Sequence, residues 1–308
     1  MDKEKKYFDL QVNGYAGIDL NDEYLSIDDL RLACDKLAED KVEGILATLI
    51  TDDLTLMKKR ISNIIQFKKE DPVIEKIIAG LHIEGPFLNS TDGYRGAHPE
   101  EFVREADVKI MEEILDAGDG LIKLVTLAPE VDPGYSVIKM LHQNNVTVSA
   151  GHSDASLDTL KGAVDAGLSM FTHLGNGCPK VIERHDNIIE RVLSLSDDLW
   201  ICFIADGHHI PFYALSNYIK SAGYEKTIVV TDAMAAASAP PGRYRVGVIE
   251  VEVGEDKIVR QPGRNNLAGS AVTMKGSANN LFAELKMTED KVELLTSINP
   301  KRALGLID

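Results

Sequence analysis

Cysteine is scarce in this chain, and positive charge is outnumbered. Cys34, Cys178 and Cys202 are scattered over 308 residues with no CxxC spacing. An odd, sparse set builds no disulfide framework and fits a reducing, cytoplasmic setting. Lys and Arg number 33 against 49 Asp and Glu, for a net charge of −16. A surface that acidic repels phosphate backbones and anionic lipid, which argues against nucleic-acid and membrane partners. No run of about eighteen apolar residues occurs, so no membrane span is expected. The opening MDKEKKYFDLQV is charged without a long apolar core, so no secretory signal is read there. Low-complexity stretches, linkers and short-period repeats are also missing. No GxGxxG follows the first apolar run, which removes the main support for a doubly wound nucleotide fold.

What is present is a regular alternation. Hydrophobic residues make up 44% of the chain, ample for a core. Eight β-rich runs recur, at 7–12, 44–50, 77–83, 121–127, 146–150, 169–174, 200–205 and 227–231. Most are followed by a helical pattern, with Ser26 a candidate cap and Pro211 suited to a first turn. Residues 243–260 alternate instead and read as a β-hairpin insertion with a Gly-Glu-Asp turn. The economical solution is a single (β/α)8 TIM-type barrel over 1–308, with all strand ends at one mouth.

Chemistry collects at those strand ends. The fifth and sixth runs each end in a histidine, His152 and His173, joined by a helical segment. Parallel strands bring both to the same end. Imidazole there is a metal ligand or a proton carrier, or simply a hydrogen-bonded loop residue. Six of the eight histidines (His82, His98, His152, His173, His208, His209) lie at strand ends or in the loops that follow. The third run adds His82 and Glu84, the seventh Asp206, and the first Gln11 and Asn13. Glu84, His152 and His173 are the best three for a divalent ion, zinc or iron(II). Asp232 ends the run TIVVTD, where an unpaired charge is too costly to be core filler. It reads as a helix cap or as a general base beside the ion. Cys178 reads as a small loop residue.

Six runs, GLHIEGPFLN, VSAGHSDAS, FTHLGNGCP, IADGHHI, VVTDAMAAA and LAGSAVTM, together resemble the N-acetylglucosamine-6-phosphate deacetylase family of the amidohydrolase superfamily. The resemblance covers about residues 8–306. It implies metal-dependent hydrolysis of the N-acetyl group of an amino sugar phosphate. It also implies Glu84, His152 and His173 as ligands of one metal ion, and Asp232 as general base and acid. Ala97 and His98 would meet the substrate, the histidine polarising the amide carbonyl. Asn176, Gly177 and His209 would receive the phosphate, with Arg184 reaching in from a neighbouring subunit of a homodimer. Leu267, Ala268 and Gly269 would close over the sugar.

Two departures from the superfamily follow. Gln11 and Asn13 stand where many amidohydrolases carry HxH, which favours one metal over two. The small β-domain that family members build from both termini is expected to be missing. Two rivals remain. One is a different amidohydrolase, acting on another amino sugar phosphate or a cyclic amide or as a deaminase; its two-metal version would need HxH and often a bridging lysine, and the one candidate, Lys123, lies mid-strand. A non-catalytic sugar-phosphate sensor has no need of both metal ligands and a base.

Overall fold

The computed structural model describes residues 6–263 and 266–307; the limits expected at 1 and 308 lie outside them. Eight parallel strands pair in sequence order. They are β1 (Tyr7–Val12), β2 (Val42–Ile50), β3 (Ile78–Glu84), β4 (Ile122–Leu127), β5 (Thr147–Ala150), β6 (Leu168–Phe171), β7 (Trp200–Ile204) and β8 (Thr227–Val230). This is the (β/α)8 barrel. Helices cover its outside, each started by a local signal. Ser26 and Asp29 form a reciprocal capping box on Ile27–Glu39. Asp53, Asn187 and Thr273 accept first-turn backbone N–H groups of their helices. The β3 run starts one residue later than expected, because Asp71 caps a short helix, Pro72–Ile77, that uses Pro72 in its first turn. No helix among the described residues is long and apolar enough to cross a membrane.

Residues 242–260 form three antiparallel strands rather than one hairpin. The first reversal falls at 247–248, between the paired Val246 and Ile249. Gly247 takes φ +57° there, a conformation glycine adopts without a Cβ penalty. The Gly-Glu-Asp turn read from the sequence is the second reversal and leads into Val259–Arg260. The Gly247 N–H donates to Asp19 Oδ2 at 2.7 Å, docking this sheet on the barrel mouth.

Inside the barrel, side chains stack in layers. Phe8, Leu10, Leu46, Leu124, Met170 and Ile228 belong to one buried apolar cluster. A polar layer follows towards the mouth. His82 Nε2 lies 2.8 Å from Thr126 Oγ1, which is 2.7 Å from Thr172 Oγ1, itself 2.7 Å from Ser149 Oγ. Burial pushes His82 down to about 4, so this ring is a neutral member of the layer.

The seam between β1 and β8 is closed by a side chain. Asp9 Oδ2 accepts the Thr231 hydroxyl at 2.6 Å, and Oδ1 accepts the Thr231 and Gln11 backbone N–H groups at 3.2 Å. Beside it, β1 bulges: Asp9 pairs with Ile45 but Val12 with Ala47, so three steps on β1 match two on β2. The extra residue changes the parity of the strand. Phe8 and Leu10 fill the lumen, and two residues beyond the bulge Gln11 and Asn13 still face it.

Burial pushes the Asp9 carboxyl up from 3.8 to about 7, against the hydrogen bonds it accepts from Thr231 and Gln11. The folded chain therefore holds this proton more tightly than the unfolded chain. The stability it contributes is complete below about pH 4 and is lost as pH rises through about 7. Asp9→Asn mimics the protonated acid. Denaturant titrations are expected to show the variant gaining on the parent by about 1 to 4 kcal/mol between about pH 4 and pH 8. A pH-independent difference would place the titration elsewhere.

Candidate active site

Glu84, the last residue of β3, is the convergence point. Its Oε1 lies 3.0 Å from His173 Nε2, 3.2 Å from His152 Nε2 and 3.2 Å from Gln11 Nε2. All four residues are buried. His152 and His173 each follow their strand by two residues, and Asp232 follows β8 by two. All three take left-handed backbone, with φ of +53°, +32° and +52°. Non-glycine residues adopt this region at a cost, and such strain concentrates at functional sites. It turns each side chain from the strand direction towards the mouth axis. Gly96 and Gly177 lie against the His152 ring, where an added Cβ would meet it at 2.9 and 3.0 Å. Only glycine lets two loops approach that imidazole so closely.

The donor set fits a divalent cation. His152 Nδ1 donates to the Tyr94 carbonyl at 2.9 Å, which leaves Nε2 facing Glu84 Oε1 at 3.2 Å. Metal-binding histidines are held in this way by a carbonyl on the second nitrogen. His98 joins the group: Glu84, His98 and His152 offer ligand atoms all within 4.8 Å of one another. The His98 and His152 rings meet edge to face at 4.5 Å. The tightest trio therefore contains His98, while His173 makes the shortest contact to Glu84 itself. His98 Nδ1 lies 3.0 Å from Thr51 Oγ1. Burial pushes Glu84 up, but the hydrogen bonds and charges of His152 and His173 outweigh it and hold the carboxyl well below its ordinary range. Burial opposes the charge on His173, and Glu84 overrides it, leaving His173 raised. Burial and then His152 push His98 down to about 3, so it is a neutral ring.

Asp232 sits beside this group. Asn13 Nδ2 donates to its Oδ1 at 2.7 Å. Burial and the charge of Glu84 push its carboxyl up to about 6, in the range suited to moving protons near neutral pH. The two amides at the HxH positions are thus both engaged, Gln11 on Glu84 and Asn13 on Asp232.

The remaining expected residues lie around the same mouth. Ala97 packs with Ala268, Met234 and the three-stranded sheet. Gly269, at φ +70°, passes within 3.1 Å of the Asp232 carbonyl by its would-be Cβ. Leu267 bridges to Arg260. A cleft of 420 Å³ opens beside His98, walled by Arg95, Ala97, Val248 and Gln261. Asn176 spends its backbone N–H, at 3.0 Å, and its side-chain amide, at 3.1 Å, on the His173 carbonyl. The turn thus engages both the backbone and the side-chain amide of Asn176. Arg184 is exposed, and the neighbouring Asp186 is taken by Arg191 at 2.6 Å. Thr51 and Tyr94 had no sequence signal beyond their places in strand-end loops.

No family model matches the chain. It is 31% identical over 305 residues to the N-acetylgalactosamine-6-phosphate deacetylase of Escherichia coli O157:H7, a match covering 97% of this chain and 77% of that protein. It is 30% identical over 302 residues to the N-acetylglucosamine-6-phosphate deacetylase of Bacillus subtilis, covering 97% and 74%. Among solved structures, a mutant N-acetyl-D-glucosamine-6-phosphate deacetylase of Mycobacterium smegmatis in complex with N-acetyl-D-glucosamine-6-phosphate superposes with a TM-score of 0.88 at 26% identity, covering 98% and 77%. The N-acetylglucosamine-6-phosphate deacetylase of Pasteurella multocida gives 0.87 at 29%, covering 98% and 76%.

Elemental analysis of the purified chain is expected to find one divalent ion per chain. Glu84→Gln should weaken ion binding by more than the roughly 10- to 100-fold that loss of an outer-shell partner costs. Two ions per chain, or undiminished binding by the variant, would refute this ligand set.

Proposed function

We infer the activity of this chain from the family to which it belongs, the N-acetylglucosamine-6-phosphate deacetylases. It hydrolyses the amide of N-acetylglucosamine 6-phosphate to acetate and glucosamine 6-phosphate. The observation that carries this reading is the meeting of Glu84, His152, His173 and a buried, proton-poised Asp232 at one barrel mouth.

Glu84, His152 and His173 would hold the ion, which we assign as a single zinc because both HxH positions carry neutral amides already committed to other residues. The chemistry that ion supplies when bound is Lewis acidity towards the acetyl carbonyl and the attacking water. Asp232 takes a proton from that water through Oδ2, since Oδ1 is held by Asn13. It then returns a proton to the leaving amine. His98 steadies the developing oxyanion through Nε2–H, the tautomer obtained when Thr51 directs its hydroxyl proton to Nδ1. With that hydroxyl turned to the Glu84 carbonyl at 3.2 Å instead, Nε2 carries a lone pair, the form that suits the tight trio with Glu84 and His152. Gly177, His209 and Arg184 read the phosphate, and Leu267, Ala268 and Gly269 close over the sugar beside Ala97 and Asn176. The exposure of Arg184 suits a residue that completes the site of a neighbouring subunit in a homodimer. The free cysteines Cys34, Cys178 and Cys202 suit the cytoplasm. The similarity to an N-acetylgalactosamine-6-phosphate deacetylase supports the 4-epimer as a second candidate substrate.

Acetate release from both N-acetylhexosamine 6-phosphates and their unphosphorylated forms, with metal measured on the same sample, tests this reading. No release from any of them by the metal-loaded chain would sink it. Asp232→Asn should keep ion and substrate binding and lose about 10²- to 10⁴-fold in kcat; wild-type turnover would reduce Asp232 to an orienting group. Arg184→Ala should raise KM for the phosphorylated sugar well above any change for the free sugar. Equal changes would show that Arg184 does not read phosphate.

A further inference from the structure

Asp206 and His209 form a pair that the steps above leave unexplained. Asp206 lies two residues beyond β7, and its side chain is only 8% exposed, as is that of His209. Oδ1 accepts the backbone N–H groups of His208 and His209 at 2.8 and 2.9 Å. Oδ2 lies 2.6 Å from His209 Nδ1. A carboxylate has no proton to give there, so Nδ1 is the donor and the bond is charge-assisted. Burial pushes Asp206 up, but the bond and charge of His209 and the two backbone donors outweigh it and keep the carboxylate ionised.

That arrangement commits one nitrogen of His209 and leaves Nε2 for the mouth. His209 stands close enough to Asp232 for its charge to lower that carboxyl. Its loop also packs on the one after β6: an added Cβ on Gly175 would meet Ile210 Cδ1 at 3.0 Å. A ring held at Nδ1–H by an anion has two chemically distinct states. Neutral, it points a lone pair from Nε2 and repels a phosphate oxygen. Charged, it offers Nε2–H as a donor, with Asp206 sharing the charge.

We propose that Asp206 is the positioning residue for substrate binding, fixing the His209 tautomer so that Nε2 becomes a charged donor to the anionic group of the sugar. The proposal rests on the reading of His209 as a phosphate contact. It adds that the discrimination between phosphorylated and free sugar is set partly by a carboxylate that never touches either. The carboxylate is compatible with an anionic ligand because its own charge is spent on three donors within its loop.

The test uses the metal-loaded enzyme and two probes, N-acetylglucosamine 6-phosphate and N-acetylglucosamine, with binding followed by calorimetry. Asp206→Asn keeps an oxygen for the backbone donors but turns an NH₂ to Nδ1, reversing the tautomer and discharging the ring. It is expected to weaken binding of the phosphorylated sugar by about tenfold or more and leave binding of the free sugar within about twofold. In the His209→Asn background the same substitution should add nothing. Ring ¹⁵N resonances of the wild type with bound phosphorylated sugar should show protons on both His209 nitrogens, a readout that does not require the variant to fold. Equal weakening for both sugars, further weakening in the His209→Asn background, or an unprotonated Nδ1 in the wild type would overturn the proposal. If His209→Asn itself leaves phosphate discrimination unchanged, the phosphate reading of His209 falls with it. A chain that binds as expected but releases no acetate would instead count against the deacetylase reading alone.

Discussion

A carboxylate buried at a barrel mouth is the constraint around which this structure is arranged. Glu84 cannot stay ionised out of water unless positive or donor groups surround it. His152, His173 and Gln11 do so, each arriving from a different strand. Their arrival requires left-handed backbone at two histidines and two glycines pressed on one ring. The second nitrogen of His152 is committed to the Tyr94 carbonyl, so the ring cannot rotate away. The result is two ring nitrogens and one carboxylate oxygen converging on a common point, a donor set that suits a cation.

Supplying Gln11 to that point depends on the seam. A regular β1 with Phe8 and Leu10 facing inward would send Gln11 outward. The bulge after Asp9 reverses the parity and lets one strand contribute both to the apolar lumen and to the polar mouth. Asp9 bonds across the opening to Thr231, one residue before Asp232, so barrel closure and placement of the base share a joint. Asn13, beyond the bulge, then reaches Asp232. Two amides stand where two imidazoles would recruit a second ion, and each orients a carboxylate instead.

Much of this was legible residue by residue. His152 and His173 stood out because each ends an apolar run, and strand order alone puts both at one mouth. Glu84 and His82 alternate on one strand, and both do face the lumen: one meets the histidines, the other is neutral in a hydroxyl layer. Less was legible where the chain is irregular. The loop after β3 has no period to read, and it brings His98 against His152 and the Tyr94 carbonyl onto Nδ1. Asn176 looked like an open anion-binding amide, but its turn consumes that N–H. The reversal at 247–248 is not legible because the apolar alternation of Tyr244 and Val246 resumes at once in Ile249, Val251 and Val253.

The alternation of apolar runs and helical periods, together with the punctuation by Gly, Pro, Ser and Asp, determined the barrel, its strand ends and the residues placed there. Those features are local, since a strand period or a cap depends on neighbours a few positions away. Only the tertiary structure decided which nitrogen of each histidine faces the centre, which amide holds which carboxylate, and that Asp206 pairs with His209. Those choices depend on distances of about three ångströms between groups set by loop paths and a one-residue bulge. A hydrogen bond changes from strong to absent over less than the width of an atom, a scale to which sequence spacing is blind.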